Sequence, residues 1–298
     1  MSFEITTAFV QQYTANVLMI YQRQESVFRG TVREETVASK NYFFDRIGST
    51  AAVQRTVRHG DTPLISTPHS RRMVTMSDYE WGDLVDDQDK IRLLISPESV
   101  YAKNAAWALS RSYDAVVRDA FDAAASAGET GSTSVTFASD WTATRSSTDG
   151  DRAFTSAALT LANLLTLKRE LDDNDIPKGD RHIVLPPAGF EQLLKQSTTP
   201  NVSNADYMMV KALVQGEINS VLGFQFHMTT GLTTASNVVT CFAWHRDSMG
   251  IAMGKEPRTR ISERVDKSYA VQVYACMTMG ATRVQGEGVV RFTINDTN

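Results

Sequence analysis

The sequence predicts an α+β fold, and three features of its order carry that reading. A polar, β-rich stretch runs from about Val27 to Val85, an uninterrupted helical stretch follows Ser96, and two strand patterns, SYAVQVYACMTMGA and GVVRFTI, close the chain. Helices and strands are mixed without a strict βαβα alternation, so a doubly wound parallel sheet does not fit. With 298 residues, 42% of them apolar, the chain has material for one large core or two, which excludes a disordered polymer.

Taken in order, Phe9, Tyr13, Val17, Ile20 and Tyr21 recur at i, i+4 and i+3 and predict a short amphipathic helix at the N-terminus. The β-rich stretch holds KNYFFDRIG, AAVQRTVRHG and SRRMVTMSDYEWGDLV, punctuated by Gly48, Gly60, Pro63 and Pro68. It has few large aliphatic residues and can bury only a thin core of its own, so it reads as a long hairpin that packs on something else.

Ser96 as N-cap and Pro97 at the first helical position open a helix expected to run to Ala127 and to stop at Gly128. Leu109, Tyr113, Val116, Val117, Ala120, Phe121 and Ala124 form its apolar face; Arg111, Asp114, Arg118 and Asp122 form a charged row. A Ser/Thr/Gly-rich stretch leads to a second helix, expected over Asp151 to Asp172. HIVLPP is a short buried strand, PAGFEQLLKQ a short helix, and a further helix is expected over Ala205 to Gln215 behind Asn204. Phe224, Phe226 and Met228 alternate as one strand and NVVTCFAWH reads as another; DSMGIAMG is a turn leading to a short apolar piece.

Charge narrows the function classes. Thirty Lys and Arg face 34 Asp and Glu, a net charge of −4, which gives no global field for gripping nucleic acid. Two cysteines, Cys241 and Cys276, cannot build a disulfide framework or a Cys-rich metal site and suggest a reducing compartment. No apolar run reaches the roughly 18–20 residues of a membrane helix, and the N-terminus lacks the pattern of a signal peptide. A soluble intracellular protein is expected. Of the basic residues 21 are Arg and nine are Lys; ion pairing between copies and codon usage both explain that excess.

No catalytic or cofactor motif emerges. His59, His69, His182, His227 and His245 show no HxxxH or HxH spacing. Cys241 and His245, four apart on one strand, would sit roughly 13 Å apart, too far for a nucleophile and its base. There is no G-x-S-x-G, P-loop or G-x-G-x-x-G, and GATRVQGEG joins two strands. The acidic clusters Asp86, Asp87, Asp89 and Asp172, Asp173, Asp175 lack the Gly and Glu of a calcium loop. The one local charge bias is Arg55, Arg58, His59, His69, Arg71 and Arg72. It suits phosphate or the carboxylates of a neighbouring copy, and the absence of interleaved aromatic platforms favours the neighbour.

These segments, in this order, resemble the major capsid proteins of tailed bacteriophages, the HK97-like fold. FVQQYTANVLMIYQRQES looks like the N-terminal arm, KNYFFDRIG and HGDTPLIS like the extended hairpin, and SPESVYAKNAAWALSRSYDAVVRDAF like the long spine helix. DRHIVLPPAGFEQLL with CFAWHRDSMGIAMG looks like the axial core, and SYAVQVYACMTMGATRVQGEGVVRF like the closing strands of the peripheral domain. The resemblance implies an arm over 1–27, an extended loop over 28–83 lying on the adjacent subunit, a peripheral domain over 84–150 and 259–298, and an axial domain over 151–258. It implies a structural protein, not an enzyme, that assembles with itself into pentamers and hexamers of an icosahedral head around double-stranded DNA. The DNA is not read by sequence. Scaffolding and portal proteins are expected partners, a decoration protein is an optional one, and no cofactor, metal or membrane is implied. The virion is the expected location, after assembly in the host cytoplasm. Phe9 and Tyr13 on the arm and Arg55, Arg58, Arg71 and Arg72 on the loop are the expected inter-subunit residues. An encapsulin-like compartment shell is the alternative of the same fold, and a soluble enzyme is the alternative of another class.

Overall fold

The computed structural model describes residues 22–85, 98–138, 142–143, 158–196 and 220–296. The expected helices over the first 21 residues and over Ala205 to Gln215, the Ser96–Pro97 start of the long helix and the Asp86–Asp89 cluster lie outside them. In chain order the elements are β1 (Arg33–Thr36), β2 (Asn41–Ile47), β3 (His69–Thr75), β4 (Ser77–Val85), α1 (Glu98–Asp122), β5 (Ala125–Ala127), β6 (Thr133–Val135) and β7 (Thr142–Ala143). Next come α2 (Leu161–Asp173), β8 (Arg181–Leu185), α3 (Pro187–Gln196), β9 (Ser220–Val221), β10 (Phe224–Met228), β11 (Thr234–Ala235) and β12 (Val238–His245). β13 (Met249–Arg264), β14 (Ala270–Arg283) and β15 (Val289–Asn295) complete the chain. The mixed α+β class follows from the sequence as expected. The chain divides into two compact units, to which α1, β13 and β14 each contribute residues.

The larger unit is built on a sheet of order β7-β15-β12-β8-β10-β9. β8 runs parallel to β10 and antiparallel to β12, and all five of its residues are buried. That is why RHIVL reads as a near-continuous apolar run rather than an alternation. Thr160 caps α2 by accepting a hydrogen bond from the Asn163 backbone N–H at 3.1 Å. The helix therefore begins at Leu161, not Asp151, and residues 158–160 precede it. Buried Arg181 donates to the Pro177 carbonyl at 2.8 Å and pairs with Asp172 at 2.7 Å, joining the end of α2 to the start of β8.

An aromatic cluster anchors the start of the β-rich stretch in this unit. Phe121 of α1 stacks on Phe242 of β12 at 4.8 Å, and Phe28 meets the edges of Phe121 and Trp244 at 5.7 and 5.8 Å. Trp244 donates its indole N–H to the Thr31 carbonyl at 2.9 Å. Asp114 of α1, 3% exposed, accepts the backbone N–H of Val27 at 3.1 Å and of Phe28 at 3.3 Å. The sequence places Asp114 in a charged row; the structure buries it and uses it as a clamp.

α1 ends at Asp122, earlier than expected. Arg283 of β14 donates to the carbonyls of Phe121 at 2.7 Å and Ala123 at 3.1 Å, satisfying groups that a further turn would have used. The chain then pairs as β5 with β3 and β6, burying Ala125 and Ala127. Tertiary pairing overrides the high helix propensity of alanine here. Gly128, at φ +89°, turns the β5–β6 hairpin instead of capping the helix.

In the smaller unit β4 lies antiparallel to β14, from Ser77↔Met279 to Val85↔Val271. Val271, Val273, Ala275, Met277 and Met279 of β14 are buried, as are Ala105, Leu109 and Tyr113 of α1. Gln22 donates to Asn104 at 3.0 Å and accepts from Arg111 at 2.9 Å, so residues 22 and 23 follow one face of α1. β13 takes in most of DSMGIAMG, expected to be a turn leading to a short apolar piece, and continues through KEPRTRISER, exposed up to the half-buried Arg264.

His182 and His227, 45 residues apart in sequence, come together on β8 and β10 with Nδ1 and Nε2 3.1 Å apart, beside Trp244. Burial, then the neighbouring His227, push His182 down to about 4; His245 and Arg246 add to this and Asp180 opposes it. Burial lowers His227 as well.

Two stability predictions follow from this packing. A Cβ on Gly280 would strike the Thr75 carbonyl oxygen, a backbone atom with no room to yield. Gly280→Ala is expected to cost the unassembled subunit about 2 kcal/mol in a urea titration. His182 binds its proton more weakly folded than unfolded, so stability is full above about pH 6.5 and falls as the pH drops toward 4. The melting temperature is expected to fall by about 5–10 °C across that window, with a flatter profile for His182→Gln.

Candidate assembly surfaces

β2 and β3 pair antiparallel from Asn41↔Thr75 to Ile47↔His69. The two-residue period sorts their side chains onto two faces. Tyr42, Phe44, Arg46, Arg72 and Val74 share the inner face; Phe43, Asp45, Ile47, His69 and Arg71 share the outer one. Phe44 and Val74 pack against Ala252 and Val284, with Val37, Tyr42 and Met76 around them. Gly250 lets the Phe44 ring sit where a Cβ would meet it at 2.6 Å. The stretch thus has the thin core its composition predicted, and it finishes that core on later strands of the same chain.

Beyond the paired strands the character changes. The Gly48 N–H donates to the Pro68 carbonyl at 2.9 Å and closes the base of a connection whose residues 48–68 are all exposed and contain no strand or helix. Within it Val53 is 61% exposed, Val57 63% and Leu64 100%, and Ile47 at its root is 70% exposed. These apolar side chains stand among Gln54, Arg55, Arg58, His59, Asp61 and several Ser and Thr residues, on a connection that packs on no core of its own chain. Asp45, Arg46, Ile47, His69, Arg71 and Glu129 line an open hollow of about 650 Å³ at the root, with both signs of charge on its walls.

The sequence-predicted residues separate in this geometry. Arg55 and Arg58 lie on the exposed connection, where Arg55 donates to the Val57 carbonyl at 3.0 Å. Arg71 points outward, pairs with Asp45 at 3.0 Å and covers the Phe43 ring at 5.1 Å. Arg72 points inward, where burial and then Arg46 lower its pKa while Glu287 raises it. Arg283 is drawn down to about 10 by burial and then by Arg72, with Asp122 and Glu287 opposing. Arg46 reaches Glu287 at 3.8 Å. Adjacent in sequence, Arg71 and Arg72 therefore belong to different surroundings. Phe9 and Tyr13 lie outside the described residues.

Sequence reasoning missed Asp114, Arg283 and Glu287. One signal was available for the first: residues 114, 117 and 121 fall on one helical stripe with buried Val117 and Phe121. Cys241 is buried, and burial pushes its thiol well above the usual range, far from a nucleophile. Among the described residues no group of three or more His, Cys, Asp or Glu is placed to hold a metal ion. What the arrangement does chemically is present surface, charged at its root and mixed along its exposed connection, where Arg55 and Arg58 stand among Val53, Val57 and Leu64.

The comparisons agree with that reading. No curated protein matches the chain in sequence. The capsid of cyanophage Pam1 superposes with a TM-score of 0.71 at 13% identity, over 100% of this chain and 99% of that one. The capsid of cyanophage P-SCSP1u gives 0.69 at 15% identity, over 98% and 95%, and the capsid of Ralstonia phage GP4 gives 0.69 at 10% identity, over 97% and 96%. At such identities the likeness establishes the fold, the HK97-like fold of phage capsids. A family model for phage capsid protein matches residues 5–296, nearly the whole length, and on that match the chain belongs to the phage capsid protein family.

Proposed function

We propose that this structural, non-enzymatic capsid protein forms the pentamers and hexamers of an icosahedral head, with residues 48–68 of each subunit laid on an adjacent copy. The fully exposed connection, with no core of its own, on an anchored hairpin is the observation that carries this reading. Burying it in one subunit's own core is not open to it, and many modest contacts summed over a closed shell are sufficient. The arm (1–27) reaches along a neighbour, residues 84–150 with 259–298 serve as the peripheral domain, and 151–258 gather around the capsomer axis. β15 is the exception within 259–298: it takes the axial role, because it is a strand of the same sheet as β8 and β12.

In this reading the packaged cargo is double-stranded DNA, held without sequence recognition. The net charge of −4 supports that, because a strongly basic wall would grip the polymer and hinder its packing and release. Scaffolding and portal proteins are the partners such assembly calls for, a decoration protein is an addition to the finished shell, and the host cytoplasm is where the subunits meet. Negative-stain microscopy of the purified full chain, alone and with its scaffolding protein, tests the central claim. Closed shells are expected; a monomer under every condition would overturn it.

Replacing residues 49–67 by a two-residue turn should leave the subunit's melting temperature within about 3 °C and abolish shells. Unfolding of the shortened chain would place the connection in the core. Arg71→Ala and Arg72→Ala should differ. The first weakens shells without moving the subunit's melting temperature, whereas the second leaves that temperature unchanged or raises it by about 1–3 °C, because it relieves the repulsion among Arg46, Arg72 and Arg283 around the carboxylate of Glu287.

A further inference from the structure

In the smaller unit β14 is flanked by β4 on one side and by residues 254–264 of β13 on the other. The odd-numbered residues of β14 from Val271 to Met279 are buried, and of the even-numbered ones on the opposite face Gln272, Tyr274 and Thr278 are partly exposed while Cys276 is buried. On that face Thr278 stands beside Asp78, and Cys276 beside Glu80. The two outer edges of this sheet carry opposite charge. β4 holds Asp78, Glu80 and Asp83 and no base. Residues 255–264 hold Lys255, Arg258, Arg260 and Arg264 against Glu256 and Glu263. β1 accompanies β13 only as far as Met253. Among the described residues no strand lies along the outer edge of 254–264 or of β4.

The acidic edge is held in place without being neutralised. Asp78 accepts from the Thr278 hydroxyl at 2.6 Å and Glu80 from the Tyr274 hydroxyl at 2.7 Å, and the Glu80 bond raises the Tyr274 pKa. Neutral donors fix both carboxylates and leave their charge facing outward. At the basic edge Arg264 is engaged by Asp266 at 2.7 Å and Gln272 at 3.1 Å. Lys255, Arg258 and Arg260 are exposed and have no ion-pair or hydrogen-bond partner among the described residues. Pro257 interrupts the row of edge N–H groups, which disfavours open-ended strand addition and leaves charge as the selective element.

We propose that the β4 edge of one copy docks on the 254–264 edge of a second copy, with Asp78 and Glu80 facing Arg258 and Arg260. Each edge repels its own kind and attracts the other, so the contact is head-to-tail, the type that generates rings and extended lattices. The inference rests on the shell reading and adds a specific contact to it.

Charge exchange in the full-length chain tests it, with assembly followed by light scattering and sedimentation at about 100 mM salt. D78K/E80K and R258E/R260E are each expected to raise the concentration needed for assembly by about tenfold or more. Combining all four changes should restore assembly to within about threefold of the unaltered chain, which no loss of subunit folding would do. D78N/E80Q, which keeps the acceptors for the two hydroxyls, should weaken assembly by less than the reversal while leaving the thermal melt unchanged. Reversals that assemble normally, or a combination no better than its worse parent, would overturn the contact. So would an effect confined to the basic edge and reproduced by added DNA, which would make that edge a polyanion site. Shells formed by the unaltered chain but indifferent to the reversals sink this contact alone, whereas an unaltered chain that forms no shells sinks the shell reading.

Discussion

The larger unit depends on a carboxylate buried in the middle of a helix. Asp114 takes the backbone N–H groups of Val27 and Phe28, and a buried charge is tolerated because donors meet it directly. With that end fixed, Phe28 enters the Phe121–Trp244 cluster and Trp244 holds the next turn through Thr31. From there β1 leaves parallel to the first residues of β13, and β2 and β3 follow with Phe44 seated over Gly250. A hairpin so held at its base can carry an uncovered connection at its far end, because what anchors the hairpin is independent of what the connection meets.

Arginine explains itself differently from either account the composition suggested. Arg283 satisfies the carbonyls at the end of α1, Arg181 those at Ile176 and Pro177, and Arg118 that of Gly231. These guanidinium groups close backbone ends inside the subunit. Five donors on a planar fork can serve two or three carbonyls at once, which an ammonium on a flexible stem does less well. Arg71 on the outer face of the hairpin and Arg258 and Arg260 on a sheet edge take no part in closing such backbone ends.

The sequence displayed the strands better than the ends of the helices. HIVL, NVVTCFAWH and GVVRFTI appear as strands because burial and alternation are local properties. The end of α1 was not legible, since it is set by Arg283, 162 residues away from Phe121. Gly128, read as the stop of the helix, instead turns a hairpin whose β5 strand pairs with β3. The sequence assigns KEPRTRISER no element, because a strand exposed along its length has no hydrophobic period to display. The grouping of Arg55, Arg58, Arg71 and Arg72 came from proximity in sequence. Strand geometry divides it, since neighbouring residues on a strand face opposite ways.

The bare connection over residues 48–68 has a kinetic meaning. Few of its backbone groups are bonded within the subunit, so on the proposed reading, in which it is laid on an adjacent copy, much of its ordering is deferred to that step. That deferred entropy subtracts from the strength of each contact. A subunit that arrives in the wrong place is therefore held weakly and can leave before its neighbours close around it. The same looseness that keeps a single contact feeble allows a growing shell to correct its errors, and permanence comes only when the last neighbours complete the closure.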